Sequence, residues 1–170
     1  FVFNASPAFA VSAGWVLGPE WQIAPAKEGF TMGFNPDPEN DHTVTADDGV
    51  AGVVIGGDAS ANEHDFYYLE SPAFDTSSAA GPIILGYYRW LNCDQTHKNR
   101  VQVWNGSQWI TIWAGADFYF EGSWSYWQHD LTNYKNPAMR IRFGFKVEQF
   151  SGSYSSWNID DILVASQACP

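Results

Sequence analysis

Residues 138–147 alternate without a break. Met139, Ile141, Phe143, Phe145 and Val147 fall on one side, and Arg140, Arg142, Gly144 and Lys146 on the other. A period of two is the mark of a half-buried β-strand, because successive side chains point to opposite faces of the pleat. The rest of the chain agrees. Twelve Phe, nine Trp and eight Tyr stand against two Met, and stiff, bulky rings suit pleated surfaces better than helices. Strand-like runs recur at 14–17, 21–24, 50–56, 66–74, 83–91, 101–113, 124–131, 138–147 and 157–165, with Gly, Pro, Ser and Asp between them. Short strands at this spacing, with no helical pattern between them, predict an all-β fold: an antiparallel jelly-roll β-sandwich of two sheets. The 170 residues read as one domain, with residues 1–14 as an extension from a preceding region.

Charge narrows the partners. Eight Lys and Arg against nineteen Asp and Glu leave a net charge of −11. Such a chain repels phosphates, which argues against nucleic acid and anionic lipid surfaces. No run of ~18 apolar residues is present, so membrane insertion through a helix is not expected. A 45% hydrophobic and 16% charged composition excludes disorder. With no initiator Met and no charged-then-apolar leader, the chain reads as a segment of something larger.

Catalytic motifs are absent from the sequence. His42, His64, His97 and His129 have no zinc-ligand spacing, and no Gly-x-Ser-x-Gly elbow or phosphate loop occurs. Glu63-His64-Asp65 would put its acids on one strand face and its imidazole on the other, so the three do not converge.

Asn105-Gly106, between two alternating runs, is a strong hairpin signal. A two-residue turn would pair Trp104 with Ser107, Gln102 with Trp109 and Val101 with Ile110. Val101, Val103, Ile110 and Ile112 then form a core face, and Gln102, Trp104, Trp109, Thr111 and Trp113 form the opposite one. A longer loop would slip this register. Two readings stand for Trp104, Trp109 and Trp113: rings covered by another segment, or an exposed platform suited to a sugar or a partner protein, with Gln102 as its polar reader.

Acidic residues gather at 37–48, including Asp37 and Asp41, and again at Asp160-Asp161. On a regular strand Asp160 and Asp161 point to opposite faces, so one would face the interior, where a lone carboxylate is costly. Its neutralisation falls to a basic side chain, to backbone N–H groups, or to a hard cation such as calcium, which takes six to eight oxygens. Cys93 and Cys169 allow one intramolecular disulfide or two unrelated thiols.

Several short pieces in fixed order carry a family resemblance. They are Trp21, Asp41-His42-Thr43, the glycines of 49–57, Leu69-Glu70-Ser71-Pro72, Gly86-Tyr87-Tyr88-Arg89-Trp90, Val101-Gln102-Val103-Trp104, Asp130-Leu131, Arg140-Ile141-Arg142-Phe143 and Asn158-Ile159-Asp160-Asp161-Ile162. Over roughly residues 15–165 the chain resembles the MAM domain and its bacterial relatives, the cleaved-adhesin domains of gingipain-type proteases and accessory jelly rolls of secreted metalloproteases. The resemblance implies a noncatalytic module for adhesion or binding beside a catalytic domain of the same polypeptide, outside a bacterial cell. It also implies a structural Ca2+ at Asp41, Asp160 and Asp161, with Asp37 added for its proximity. Animal members usually carry four cysteines, and this chain has two, which favours the bacterial branch.

The expectation is therefore a secreted or cell-surface, calcium-stabilised binding module, with a polysaccharide or an extracellular protein held on Trp104, Trp109, Trp113 and Gln102. The alternatives are a glycan hydrolase or lyase on a jelly-roll fold and a structural spacer without an aromatic patch.

Overall fold

The alternating run becomes the central strand of a sheet. The computed structural model describes residues 14–29, 35–43, 49–115, 117–149 and 157–166. Its strands are β1 (Val16–Leu17), β2 (Trp21–Pro25), β3 (Gly49–Val53), β4 (His64–Glu70), β5 (Ile84–Cys93), β6 (His97–Trp104), β7 (Trp109–Gly115), β8 (Tyr119–Phe120), β9 (Ser125–Asp130), β10 (Arg140–Val147) and β11 (Trp157–Ala165). A 3-10 turn at Thr132–Tyr134 is the only helical element among the described residues.

Two antiparallel sheets form a jelly-roll sandwich. The first has the order β1-β4-β10-β6-β7. The second runs β2-β3-β11-β5, and β5 then pairs with β9 along most of its length and with β8 at its end. Only β6 and β7 are joined by a short turn among the paired strands; the other pairings link distant stretches of chain, so the topology rests on non-local contacts.

The core is what the alternation predicts. Ile141, Phe143, Phe145 and Val147 of β10 and Val101 and Val103 of β6 point inward against Leu85, Tyr87 and Leu91 of β5 and Trp157 and Ile159 of β11, and all are buried. Trp157 is the hub: Trp21, Trp113 and Phe143 lie with their ring centroids at 5.8, 5.8 and 5.7 Å from its own. Aromatic contacts of this tilted kind add to the area they bury.

One buried charge stands in this apolar layer. Arg89 is 1% exposed and donates from Nε to both carboxylate oxygens of Glu121, at 3.1 and 3.2 Å, and from a terminal nitrogen to Glu121 Oε1. Its guanidinium carbon lies 3.9 Å from the Trp127 ring centroid, 5.1 Å from that of Trp113 and 5.2 Å from that of Tyr119. A fork-shaped donor with a planar, weakly hydrated body suits such a box of rings better than a lysine would.

Cys93 is a buried free thiol, accepting from Asn99 Nδ2 at 3.3 Å. Burial pushes it up to about 12, so it is held as the unreactive thiol. Cys169, residues 1–13 and the acidic positions Asp47 and Asp48 lie outside the described residues.

Candidate binding face on the first sheet

The hairpin is real, but its register differs from that of a two-residue turn. Trp104 pairs with Trp109, Val103 with Ile110 and Gln102 with Thr111. The loop therefore holds four residues, 105–108. Asn105 sets that length: its Oδ1 accepts from the backbone N–H groups of Ser107 and Gln108, both at 2.9 Å. Such side-chain capping is why Asn favours turns, and Gly106 supplies the φ of +98° that the loop requires.

A second irregularity follows. The register shifts between Val101 and Gln102, so that Val101 faces Trp113. The extra residue on β7 turns Trp113 to the inner side, against Trp157 and the Arg89 box. The expected grouping of three tryptophans on one face is thus corrected. Trp104 and Trp109 share the outer face with Gln102 and Thr111, and Trp113 belongs to the core.

The outer face of the first sheet collects side chains from four strands. Phe66, Tyr68 and Glu70 come from β4, and Arg140, Arg142, Gly144 and Lys146 from β10. Lys98, Arg100, Gln102 and Trp104 come from β6, and Trp109 and Thr111 from β7. The register places Gly144 between Tyr68 and Arg100, and Arg142 between Glu70 and Gln102.

Rings and guanidinium groups alternate across this face. The Arg100 guanidinium carbon lies 3.6 Å from the Phe66 centroid and 5.2 Å from that of Tyr68. Arg142 sits between Tyr68, at 3.8 Å, and Trp109, at 4.0 Å. Arg140 lies 5.1 Å from the Trp104 centroid and 5.2 Å from that of Trp109. Phe66 and Tyr68 stack at 5.9 Å, and Trp104 meets Trp109 edge-on at 5.6 Å. Each guanidinium over a ring is worth about 0.5–2 kcal/mol, more where water is excluded.

Polar contacts fix the array. Gln102 is buried; its Oε1 accepts from Arg142 Nε at 2.8 Å and its Nε2 donates to Thr111 Oγ1 at 3.0 Å. Arg140 pairs with Glu70. Lys98 and Lys146 reach Glu148 at 3.5 and 3.8 Å. Desolvation and the neighbouring Arg142 charge both hold Arg100 below the usual arginine range. Among the described residues, no hydrogen bond runs from a loop onto the side chains of Phe66, Tyr68, Arg100 or Arg142.

Of the side chains on this face, the sequence had singled out Gln102, Trp104 and Trp109 as binding candidates, and not Phe66, Tyr68 or Arg100. The alternation in 138–147 had placed the cationic side of β10 correctly. No local pattern says that β4 and β6 flank it.

The second sheet presents the opposite picture. Segment 35–43 lies across its outer face. Trp90 Nε1 donates to Pro36 O at 3.0 Å, and Trp124 Nε1 to Asn40 O at 3.2 Å. Asp37 accepts from Asn158 Nδ2 at 2.6 Å and from Gly56 N at 3.0 Å. His42 stacks on Tyr88 at 3.3 Å.

Neither acid of the Asp160–Asp161 pair enters the core. The register slips between Asp160 and Leu163, and Asp161 takes a φ of +49°. Both carboxylates therefore meet His42: Asp160 Oδ2 accepts from its backbone N–H at 2.9 Å, and Asp161 Oδ2 lies 2.8 Å from its Nδ1. Asp161 also accepts from Thr43 Oγ1. Burial, with Asp161 alongside, pushes Asp160 up to about 6. As for calcium, no three His, Cys, Asp or Glu side chains converge on a common point among the described residues, and the oxygens of Asp37 and Asp160 are already hydrogen-bonded.

The histidines scatter. His42 belongs to segment 35–43 and stacks on Tyr88. His64 and His97 both pack on Phe145, with His97 buried against Asp94 at 2.9 Å. His129 is 3.2 Å from the Tyr87 hydroxyl inside the sandwich. His64 and His97 are neighbours, but His97 and its Asp94 partner are buried.

No family model matches the chain, and no curated protein matches it in sequence. Solved structures do match. A carbohydrate-binding module, TmCBM61 in complex with β-1,4-galactotriose, gives a TM-score of 0.53 at 11% identity, over 97% of this chain and 99% of that one. The CBM22-1 xylan-binding domain of Paenibacillus barcinonensis Xyn10C gives 0.53 at 10% identity, over 99% and 97%. The K1 cleaved adhesin domain of Lys-gingipain from Porphyromonas gingivalis gives 0.49 at 12% identity, over 99% of both chains. At these identities the likeness is one of fold: the jelly-roll β-sandwich.

Proposed function

We propose that this chain is a noncatalytic carbohydrate-binding module of a secreted or cell-surface protein, and that the outer face of the first sheet is where the glycan lies. The observation that carries this reading is the array of Phe66, Tyr68, Trp104 and Trp109 interleaved with Arg100, Arg140 and Arg142, fixed from below by buried Gln102. A polysaccharide offers apolar ring faces and many hydroxyls. Aromatic rings and guanidinium donors gathered on one sheet face match both. Two solved structures with this fold are described as binding a galactotriose and xylan, which supports the same use of the fold here. The scatter of the histidines favours binding over catalysis, and attachment to a catalytic domain of the same polypeptide suits such a module.

Affinity electrophoresis against a panel of soluble polysaccharides tests it. Retardation by at least one polymer, lost in Trp109→Ala while the melting temperature holds, is the expected result. Unchanged mobility in every gel would overturn the reading.

A further inference from the structure

We infer that the polysaccharide taken by this face carries anionic groups, carboxylate or sulfate, and that Arg100 and Arg142 receive them. The inference rests on the proposed binding face and names its ligand class. It starts from charge. The chain is strongly acidic overall, yet Lys98, Arg100, Arg140, Arg142 and Lys146, five of its eight cations, share one sheet face, with Glu63, Asp65, Glu70 and Glu148 about them. The other three cations, Lys27, Arg89 and Lys135, lie elsewhere.

The five are not equivalent. Arg140 has Glu70, and both lysines have Glu148. Arg100 and Arg142 have no carboxylate within ion-pair distance among the described residues; Asp65 acts on Arg100 and Glu70 on Arg142 from further away, and the Arg142 charge opposes that of Arg100. Arg100 Nε is buried with no hydrogen-bond partner. A half-buried guanidinium left this way is costly unless an acceptor arrives.

Geometry then selects the acceptor. Tyr68 of β4 and Trp109 of β7 bring their ring centroids to 3.8 and 4.0 Å from the Arg142 guanidinium carbon, and Gln102 takes its Nε. What remains is its terminal N–H groups. The Arg100 guanidinium carbon lies 3.6 Å from the Phe66 centroid. Two guanidinium forks held by rings suit a planar carboxylate or a sulfate, which accept two parallel hydrogen bonds. A neutral sugar would leave those donors half used. The net charge of −11 repels polyanions at long range, so capture depends on this local pair.

The probes are polygalacturonate, a sulfated galactan, neutral galactan, xylan and polyglutamate, titrated by calorimetry at equal ionic strength. One of the anionic polysaccharides should bind about tenfold or more tightly than the neutral ones, and the binding should weaken with salt. Whether polygalacturonate or the sulfated galactan is preferred identifies the group as carboxylate or sulfate. Arg100→Gln and Arg142→Gln should each lower that affinity by about tenfold, with Arg100→Lys falling between. Should Arg142→Gln fail to fold, the two Arg100 variants carry the test. Binding of neutral polymers as tight as that of charged ones, or unaltered binding in both Gln variants, overturns the inference and leaves the module reading standing. Equal binding of polyglutamate overturns it too, as charge without sugar. No binding to any polysaccharide defeats both.

Discussion

Arg100 of β6 rests 3.6 Å above the ring of Phe66 on β4, although β10 lies between the two strands. The gap is bridged because the β10 residue under them is Gly144. Its missing side chain lets the rings of β4 and the guanidinium of β6 close over the strand. A Cβ at 144 would come within 2.6 Å of Tyr68 Cε1 and 3.1 Å of Phe66 Cδ1.

Gly144→Ala should therefore disarm the face. The methyl group must lift Tyr68, which removes one wall of Arg142 and parts Arg100 from Phe66. Glycan affinity should fall severalfold, while stability drops by about 1–3 kcal/mol as for an overpacked site. Titration alongside a thermal melt separates the two effects. Wild-type affinity in Gly144→Ala would refute this role.

Trp109 and Trp113 should behave as opposites. Trp109→Ala is expected to cost ~1–3 kcal/mol of ligand binding with little change in melting temperature, as at a binding hot spot. Trp113→Ala empties a place beside Trp157 and Arg89 and should cost roughly 3 kcal/mol of folding stability. Chemical denaturation of both variants checks the corrected register. Equal destabilisation by the two would contradict it.

Glu121→Ala should rank among the most damaging single changes. It leaves Arg89 buried at 1% exposure without its carboxylate, and breaking such a pair costs about 3–5 kcal/mol. Replacing Arg89 and Glu121 together by Met and Leu should recover part of that loss. A double variant as unstable as the single one would show that the rings, not the charge, require the arginine.

Stability should respond to pH through Asp160. Its folded value of about 6 exceeds the ordinary 3.8, so the folded chain binds the extra proton between these limits. The contribution is then fully present below pH ~4 and is lost as pH rises through 6, on the order of 2 kcal/mol. Asp94 works the other way. Against its desolvation, hydrogen bonds from Thr96 and His97 hold it at about 2, so its contribution is lost only in stronger acid. Between pH 7 and 5 the melting temperature should rise relative to Asp160→Asn. The same melts with calcium and with a chelator address the cation suggested by the sequence. A calcium-dependent gain abolished by Asp160→Asn would place an ion on this rim. Coincident curves would leave His42 and the backbone amides as its neutralisation.

What could be read in advance follows from the range of each signal. Alternation is local, so the inner and outer sides of β10 were legible from residues 138–147 alone. Asn105-Gly106 announced a turn but not its length, which depends on Asn105 capping two amides. Bulges break a period of two without warning. One at β7 sent Trp113 inward, and another at β11 kept both Asp160 and Asp161 out of the core. The meeting of residues 66, 100 and 142 was invisible for a different reason: it depends on which distant strands become neighbours, and no stretch of the chain encodes that by itself.

Segment 35–43 roofs one broad side of the sandwich, through Trp90, Asn158 and Asp160, while the array on the other side has no such cover among the described residues. The described residues thus make the sandwich two-sided like a tile, roofed on one surface only. If the open surface is the one that meets a polymer, the tile can lie on it in a single orientation.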